Sequence, residues 1–310
     1  MKLNIDVPAE EEATLSFIIQ APPEQGTSKF SIGSVHYTVN AVGRRSRLYD
    51  PDLQQSSGIQ PSKNSSTSSL GISANIRVRL SLKFSSPSIT FPAGGTINSL
   101  PVARGTTVDI LSVNDGCSVQ SNGHTLIKGS PLRFTSFSGD FPVRLGSNLM
   151  RYYDGILECR TIGRELALIN ELPLEQYMLG LGEEPDTEHK EKQKAFAIAA
   201  RTYAAYYMDA QHRKFANMPF DASDDPRAFQ VYVGKEFSQK NPVWNQVVRE
   251  TSRQVLMYRG SLIKPPYFHS SDGRTRSPKE AGWNNFPFAE IFHSKPDPWC
   301  KGLAVSGHGV

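Results

Sequence analysis

Between residues 74 and 170 apolar residues recur at every second position in short runs, and this alternation limits the available folds more than any other feature. A period of two puts successive side chains on opposite faces of an extended strand, so each run reads as a strand with one buried face. Ile76-Arg77-Val78-Arg79-Leu80-Ser81-Leu82 is the clearest case. Runs at 107–111, 119–126, 141–145, 156–159 and 165–170 follow, with Gly, Asn and Pro at the breaks. Evenly spaced short strands with turn residues between them describe an all-β unit, a barrel or a sandwich.

The pattern changes after residue 170. Residues 174–181 read as a short helix entered through Pro173, which suits a first-turn position. Residues 191–208 form the strongest helical segment, rich in alanine, with Phe196, Ala199, Ala200, Tyr203 and Tyr207 on one face. Small residues all round allow close packing, so this helix is expected to be buried and central. Residues 242–251 read as another helix and 254–258 as a strand. Arg259-Gly260 supplies a turn, and 261–263 pairs back as a hairpin. The expected class is α+β: short strands forming an all-β unit, then a buried Ala-rich helix, then a mixed helix and hairpin region lining a cleft.

Upstream, residues 1–48 read as a small β segment to which no function is assigned. Residues 49–73 form a Ser-rich tract too poor in apolar residues to fold, hence a flexible linker. The expected functional domain is 74–310. The chain is 38% hydrophobic and 21% charged, as suits a globular protein. No run of 18 apolar residues exists to span a membrane. The first twelve residues lack the apolar stretch of a secretory signal. Cys117, Cys159 and Cys300 are an odd count with no C-x-x-C pair. They read as three unrelated cysteines, although one bond among them is allowed.

The formal charge of +4 reads as a solvated surface or as attraction to an anionic polymer such as a cell wall. Lys and Arg are scattered rather than clustered, which disfavours nucleic acid as a partner. None of the seven histidines falls in an H-x-x-x-H or H-E-x-x-H pattern, so no metal is expected. Glu183-Glu184-Pro185 lies on a loop between two helical segments. Adjacent carboxyls beside buried surface can have their proton affinities pushed apart, which suits acid/base work, but ordinary acids approaching a helix look the same. The loop His269-Ser270-Ser271-Asp272-Gly273-Arg274-Thr275 offers hydroxyl, imidazole and guanidinium groups to a sugar, or it is a structural turn. A Ser-His-Asp triad is rejected there, because no G-x-S-x-G elbow exists and close sequence neighbours rarely form one. Trp283, Phe286, Phe288, Phe292 and Trp299 could stack on sugars or pack a core.

Seven ordered segments resemble the stage II sporulation protein D / amidase-enhancer family. They are Asn170-Glu171-Leu172-Pro173-Leu174-Glu175-Gln176-Tyr177-Met178-Leu179-Gly180, Glu183-Glu184-Pro185, the run 194–204, Gln230-Val231-Tyr232-Val233-Gly234, the run 251–256, the run 268–275, and Gly307-His308-Gly309-Val310. The resemblance covers about residues 76–310. Glu184 stands where the family has methionine and Phe196 where it has glutamine. Some members carry a Cys/His metal pair just before the Gln-Val-Tyr element; residues 221–229 hold neither, so no zinc is expected here.

The resemblance implies a cell-wall function. It assigns Glu183 as the catalytic acid/base of a lytic transglycosylase that cleaves peptidoglycan glycan strands lacking stem peptides, without a cofactor. Arg201, Tyr203, His269, Ser270, Ser271, Arg274, Thr275 and His308 become the expected substrate-binding residues. The alternative it implies is a non-catalytic, wall-binding activator of an N-acetylmuramoyl-L-alanine amidase. The implied location is the cell envelope or the extracellular space. With no visible signal and an end inside the closing motif, the chain is expected to be a fragment of a longer exported protein.

Overall fold

The computed structural model describes residues 75–82, 86–114, 116–184, 186–268 and 271–298, and the backbone of four earlier strands. The tract expected to be a linker, 49–73, lies outside the described residues. So do Pro185, His269, Ser270, Trp299, Cys300 and His308. In chain order the strands are β1 (Lys2–Asn4), β2 (Thr14–Phe17), β3 (Gly26–Ile32), β4 (Val35–Ala41), β5 (Asn75–Leu80), β6 (Ser88–Phe91), β7 (Gly95–Ile97), β8 (Leu100–Val102) and β9 (Thr106–Val113). Then come β10 (Gly116–Ser121), β11 (His124–Gly129), β12 (Leu132–Gly146), β13 (Leu149–Ile162), β14 (Glu165–Pro173), α1 (Leu174–Leu179) and α2 (Lys190–Met208). The remainder is β15 (Ala222–Ser223), α3 (Lys235–Lys240), α4 (Pro242–Glu250), β16 (Leu256–Tyr258) and β17 (Ser261–Leu262). Strand exceeds helix and both are present, which makes the class α+β.

The chain divides into two compact units. One comprises Met1–Ile72, Glu188–Ala210 and Arg249–Gly309; the other comprises Ser73–Thr187 and Gln211–Val248, together with Val310.

The second unit is the all-β region with its short helices. Its main sheet runs in the order β11-β10-β9-β6-β12-β13-β14-β5-β15, with β7 and β8 branching from β12. All pairings are antiparallel except β15 with β5. The period-two pattern does what it should: Ile76, Val78 and Leu80 of β5 are buried while Asn75, Arg77 and Arg79 are less so. Each such apolar side chain contributes roughly 1.5–3 kcal/mol on burial. Phe91, Phe134 and Phe141 fill the centre, with Phe91 edge-on to Phe141 at 5.6 Å between centroids.

Cys117 on β10 and Cys159 on β13 are joined by a disulfide, which corrects the expectation of three unrelated cysteines. Strands β9, β6 and β12 separate the two in the sheet order. The bond is therefore reachable only because the sheet curls until β10 faces β13. Strand β14 approaches β9 in the same way. The run 119–126, expected as one strand, is instead two strands folded at Asn122-Gly123, with φ of 50° and 78°. Such left-handed pairs make the tight turns whose twist matches a hairpin.

Charge also crosses this sheet. Glu158, with a side chain only 2% exposed, meets Arg77, Arg133 and Arg160 at 2.8, 3.0 and 2.7 Å. Glu171 meets Arg77 at 2.9 Å and Arg133 at 3.0 Å. The register sets these meetings, placing Glu171 opposite Arg77 and Glu158 opposite Arg133.

The first unit pairs β1, β2, β16 and β17 in one antiparallel sheet and β3 with β4 in a hairpin. The expected turn at Arg259-Gly260 is present, joining Tyr258 to Ser261. Helix α2 has Ala197, Ala200 and Ala204 fully buried, as its composition demanded. Thr202 Oγ1 donates to Ile198 O at 2.6 Å and accepts from Leu256 N at 2.9 Å, tying the helix to β16.

Candidate functional site

Glu183 belongs to the strand-rich unit and is half-buried. After α1 the chain turns and runs extended beside residues 231–233. Leu181 lies opposite Tyr232, Gly182 N donates to Val231 O at 2.9 Å, and Val233 N donates to Gly180 O at 2.8 Å. Where this short ladder ends, the Glu183 side chain continues it: Val231 N donates to Glu183 Oε1 at 2.8 Å. The approach is close: a Cβ on Gly182 would meet Val233 Cγ2 at 2.6 Å, so that side chain would have to shift. Gly234 ends the partner segment at φ 89°, where a Cβ would meet Tyr152 O at 2.5 Å.

The residues around this ladder form a buried polar network. Asn170 on β14 donates to Asp154 O at 2.8 Å and Ile156 O at 3.2 Å. Its Oδ1 accepts from Tyr232 Oη at 2.8 Å, and Tyr177 Oη donates to Gln230 Oε1 at 3.1 Å. The rings of Tyr177 and Tyr232 stack at 5.0 Å. Burial, with the nearby Tyr153, Asp154 and Asp224, pushes the Tyr232 phenol well above its ordinary value, so it serves as a neutral donor. Trp244 Nε1 donates to Met178 O at 2.9 Å, holding α4 to α1. Lys235 pairs with Asp140 at 3.0 Å and Asp154 at 3.1 Å, securing the far end of the 230–234 segment.

Beyond Pro185 the loop is fastened again. The Asp186 carboxylate accepts from Val243 N and Trp244 N, each at 2.9 Å, capping the start of α4 where the helix dipole favours an anion. Glu183 therefore sits between two anchor points, the Val231 amide and the α4 N-terminus. Asp186, Gly182 and the 231–233 backbone were not singled out from the sequence. An Asp ahead of Pro242 with a helical run behind it is a capping signal only when the two lie close in the chain, and here Asp186 and Val243 are 57 positions apart.

The other expected site residues that are described all belong to the first unit. Arg201 is 1% exposed, and its guanidinium donates to Ala197 O at 3.3 Å and Gln254 O at 3.4 Å. Tyr203 is 5% exposed and packs edge-on against Tyr207 and Tyr267. Residues 271–275 run beside 293–297. Ser271 Oγ donates to the buried Asp297 carboxylate at 2.8 Å, and Asp297 N donates to Gly273 O at 2.8 Å. Arg274 donates to Glu280 at 2.8 Å and Ser294 Oγ at 2.7 Å. Thr275 N donates to Lys295 O at 2.8 Å, and Thr275 Oγ1 accepts from Lys295 N at 2.9 Å. Ser277 and Glu280 bond reciprocally through side chain and backbone, in the manner of a capping box. Trp283 and Phe286 stack at 5.3 Å, with Lys264 Nζ 4.9 Å from the Phe286 centroid. His269, Ser270 and His308 lie outside the described residues.

A family model described as Stage II sporulation protein matches residues 163–258. The similarity to this family is confined to that stretch, residues 163–258. The matched stretch contains Asn170, Tyr177, Gly182, Glu183 and the 230–234 segment, and it stops short of the 271–275 loop. An uncharacterised protein of Brachyspira hyodysenteriae is 34% identical over 167 residues, covering 51% of this chain and 43% of that protein. A Bacillus subtilis protein described as an amidase enhancer is 32% identical over 116 residues, covering 37% of this chain and 14% of that protein. The chain thus spans less than half the length of either relative.

Proposed function

We propose that the chain carries a peptidoglycan-active domain in which Glu183 is the single acid/base of a lytic cleavage of glycan strands lacking stem peptides. The observation that carries this reading is the half-buried Glu183 carboxylate, with Oε1 held at 2.8 Å by Val231 N on a loop fastened on both sides. A catalytic group held in one orientation avoids the cost of ordering it during reaction. In this reading the second oxygen carries the proton. It protonates the glycosidic oxygen as that bond breaks and an oxocarbenium-like centre develops. The carboxylate then takes the proton of the muramic acid 6-hydroxyl while that oxygen bonds to the anomeric carbon. A 1,6-anhydro ring closes and the acid is regenerated.

The Ser271, Arg274 and Thr275 side chains hold the shape of the 271–275 segment. The location that fits is the cell envelope or extracellular space. The Cys117–Cys159 bond supports this, because disulfides persist in oxidising compartments. No described helix is long and apolar enough to cross a membrane.

The test is incubation of the purified chain with denuded glycan strands, followed by mass spectrometry of the products. The reading expects 1,6-anhydromuramyl ends from the wild type and none from Glu183→Gln. Reducing ends formed by water, or undiminished cleavage by Glu183→Gln, would overturn it. A second reading is favoured by the relative described as an amidase enhancer. Under it the chain binds wall and stimulates an N-acetylmuramoyl-L-alanine amidase, and stimulation persists in Glu183→Gln.

A further inference from the structure

The 231–233 segment has two sides, and only one faces Glu183. In an extended strand, alternate residues direct their backbone groups to opposite edges. Val231 and Val233 bond toward residues 180–183, so the carbonyl of Tyr232 points away from them. There it meets Arg151 of β13, whose Nη1 donates to Tyr232 O at 3.2 Å. The same Nη1 lies 3.8 Å from Asp224 Oδ2.

Asp224 is 7% exposed and is held in turn. Its Oδ1 accepts from Ser81 N at 2.8 Å and Ser81 Oγ at 2.5 Å, and its own N donates to Arg79 O at 3.1 Å. Strand β5 thus fixes the aspartate and the aspartate faces the arginine. The arginine grips the peptide that joins Tyr232 to Val233, and the N–H of that peptide bonds Gly180 O. Tyr153, fully buried, walls the same side, its ring 3.0 Å from where a Cβ on Gly234 would sit.

The geometry points to Arg151 as a positioning residue for Glu183, bracing from behind the strand whose front edge holds the carboxylate. The inference rests on the assignment of Glu183 as the acid/base. Arg151 also borders two shallow surface grooves, of about 270 and 200 Å³, with Leu149 common to both. A direct contact with substrate is therefore the competing role, and the experiment separates the two.

Two readouts test it on the full chain. The first is amide hydrogen exchange at Val231 and Val233, which needs no activity. Arg151→Met is expected to speed exchange at both by about tenfold, while the amide of Ile169 in β14 changes little; Arg151→Lys, which keeps a donor, restores protection. The second is the kinetics of glycan cleavage. Arg151→Met is expected to lower kcat about 10- to 100-fold with KM within about twofold, and Asp224→Asn to fall between it and the wild type. Unchanged exchange at the two valines overturns the brace. So does a raised KM at constant kcat, which would make Arg151 a substrate contact. Should Arg151→Met fail to fold, Arg151→Lys and Asp224→Asn carry the same comparison. If Glu183→Gln keeps full activity, the assignment of Glu183 falls, and the exchange arm still decides whether Arg151 holds the strand.

Discussion

Two loops carry the polar residues that drew attention in the sequence, and the structure uses them in opposite ways. At 180–186 the ladder, flanked by two close-packed glycines and the Asn170–Tyr232–Tyr177 network, ends in one half-buried carboxylate bonded to Val231 N. At 271–275 the polar side chains bond to the adjoining 293–297 segment and to Glu280, and so hold their own loop. The first lies inside the segment matched to the family and the second lies outside it. A run of Ser, Asp, Arg and Thr is thus weak evidence of a binding surface, because such side chains readily satisfy nearby backbone and one another. A half-buried carboxylate held by a strand amide, as Glu183 is by Val231 N, gives firmer support to a fixed orientation.

The largest expected effect breaks this contrast most directly. Glu183→Gln should reduce the release of anhydromuramyl products by about a thousandfold or more, a typical cost of losing an acid/base group. Thr275→Ala should change it by less than about tenfold, since that hydroxyl is bonded to Lys295. Rates measured by chromatography of the released fragments, with circular dichroism confirming folding, make the comparison. Equal losses would mean that the second loop is as much a part of the chemistry as the first.

The next effect concerns the frame beneath the first loop. Replacing Cys117 and Cys159 by alanine opens a connection spanning 42 residues. Chain-entropy reasoning gives a loss of about 2–4 kcal/mol, which denaturant melts would register. A loss confined to a few tenths of that would mean that the curl of the sheet is held by packing alone. Smaller still is Asp297→Ala, which leaves the Ser271 hydroxyl without its buried carboxylate partner. It should cost about 1–3 kcal/mol and lower the melting temperature. If it costs nothing, the 271–275 loop is not held by its own side chains, and the contrast drawn above fails.

How much of this was legible follows from the range of each interaction. Strands β5, β9 and β14 and helix α2 were readable because period two and period 3.6 are local signals. The Arg259-Gly260 hairpin was readable for the same reason. The break at Asn122-Gly123 carries its own signal, an Asn-Gly pair, and was passed over because the apolar run on either side suggested continuity. The disulfide, the Asp186 cap, the Asp297 anchor and the Arg151 clamp were not readable. Each joins residues 26 to 81 positions apart, and each depends on how the sheet or a loop folds back. Glu183 itself was found through motif resemblance; its Val231 partner came only from the fold.

The smallest expected effect is a titration. Glu280 sits in the open, yet the hydrogen bond from Arg274, with those from Ser277, holds its carboxyl down to about 2. Because the folded value lies below the ordinary one of about 4.3, any stability it adds is present above that ordinary value. It is lost as the pH falls through the lowered one. Exposure to solvent keeps that contribution slight, so the readout is the carboxyl carbon shift in NMR rather than a melting curve. At pH 3 the wild-type Glu280 should still be ionised, and Arg274→Ala should return it toward ordinary behaviour. If Glu280 titrates normally in the wild type, Arg274 is not committed to the loop, and its guanidinium is again available to a sugar.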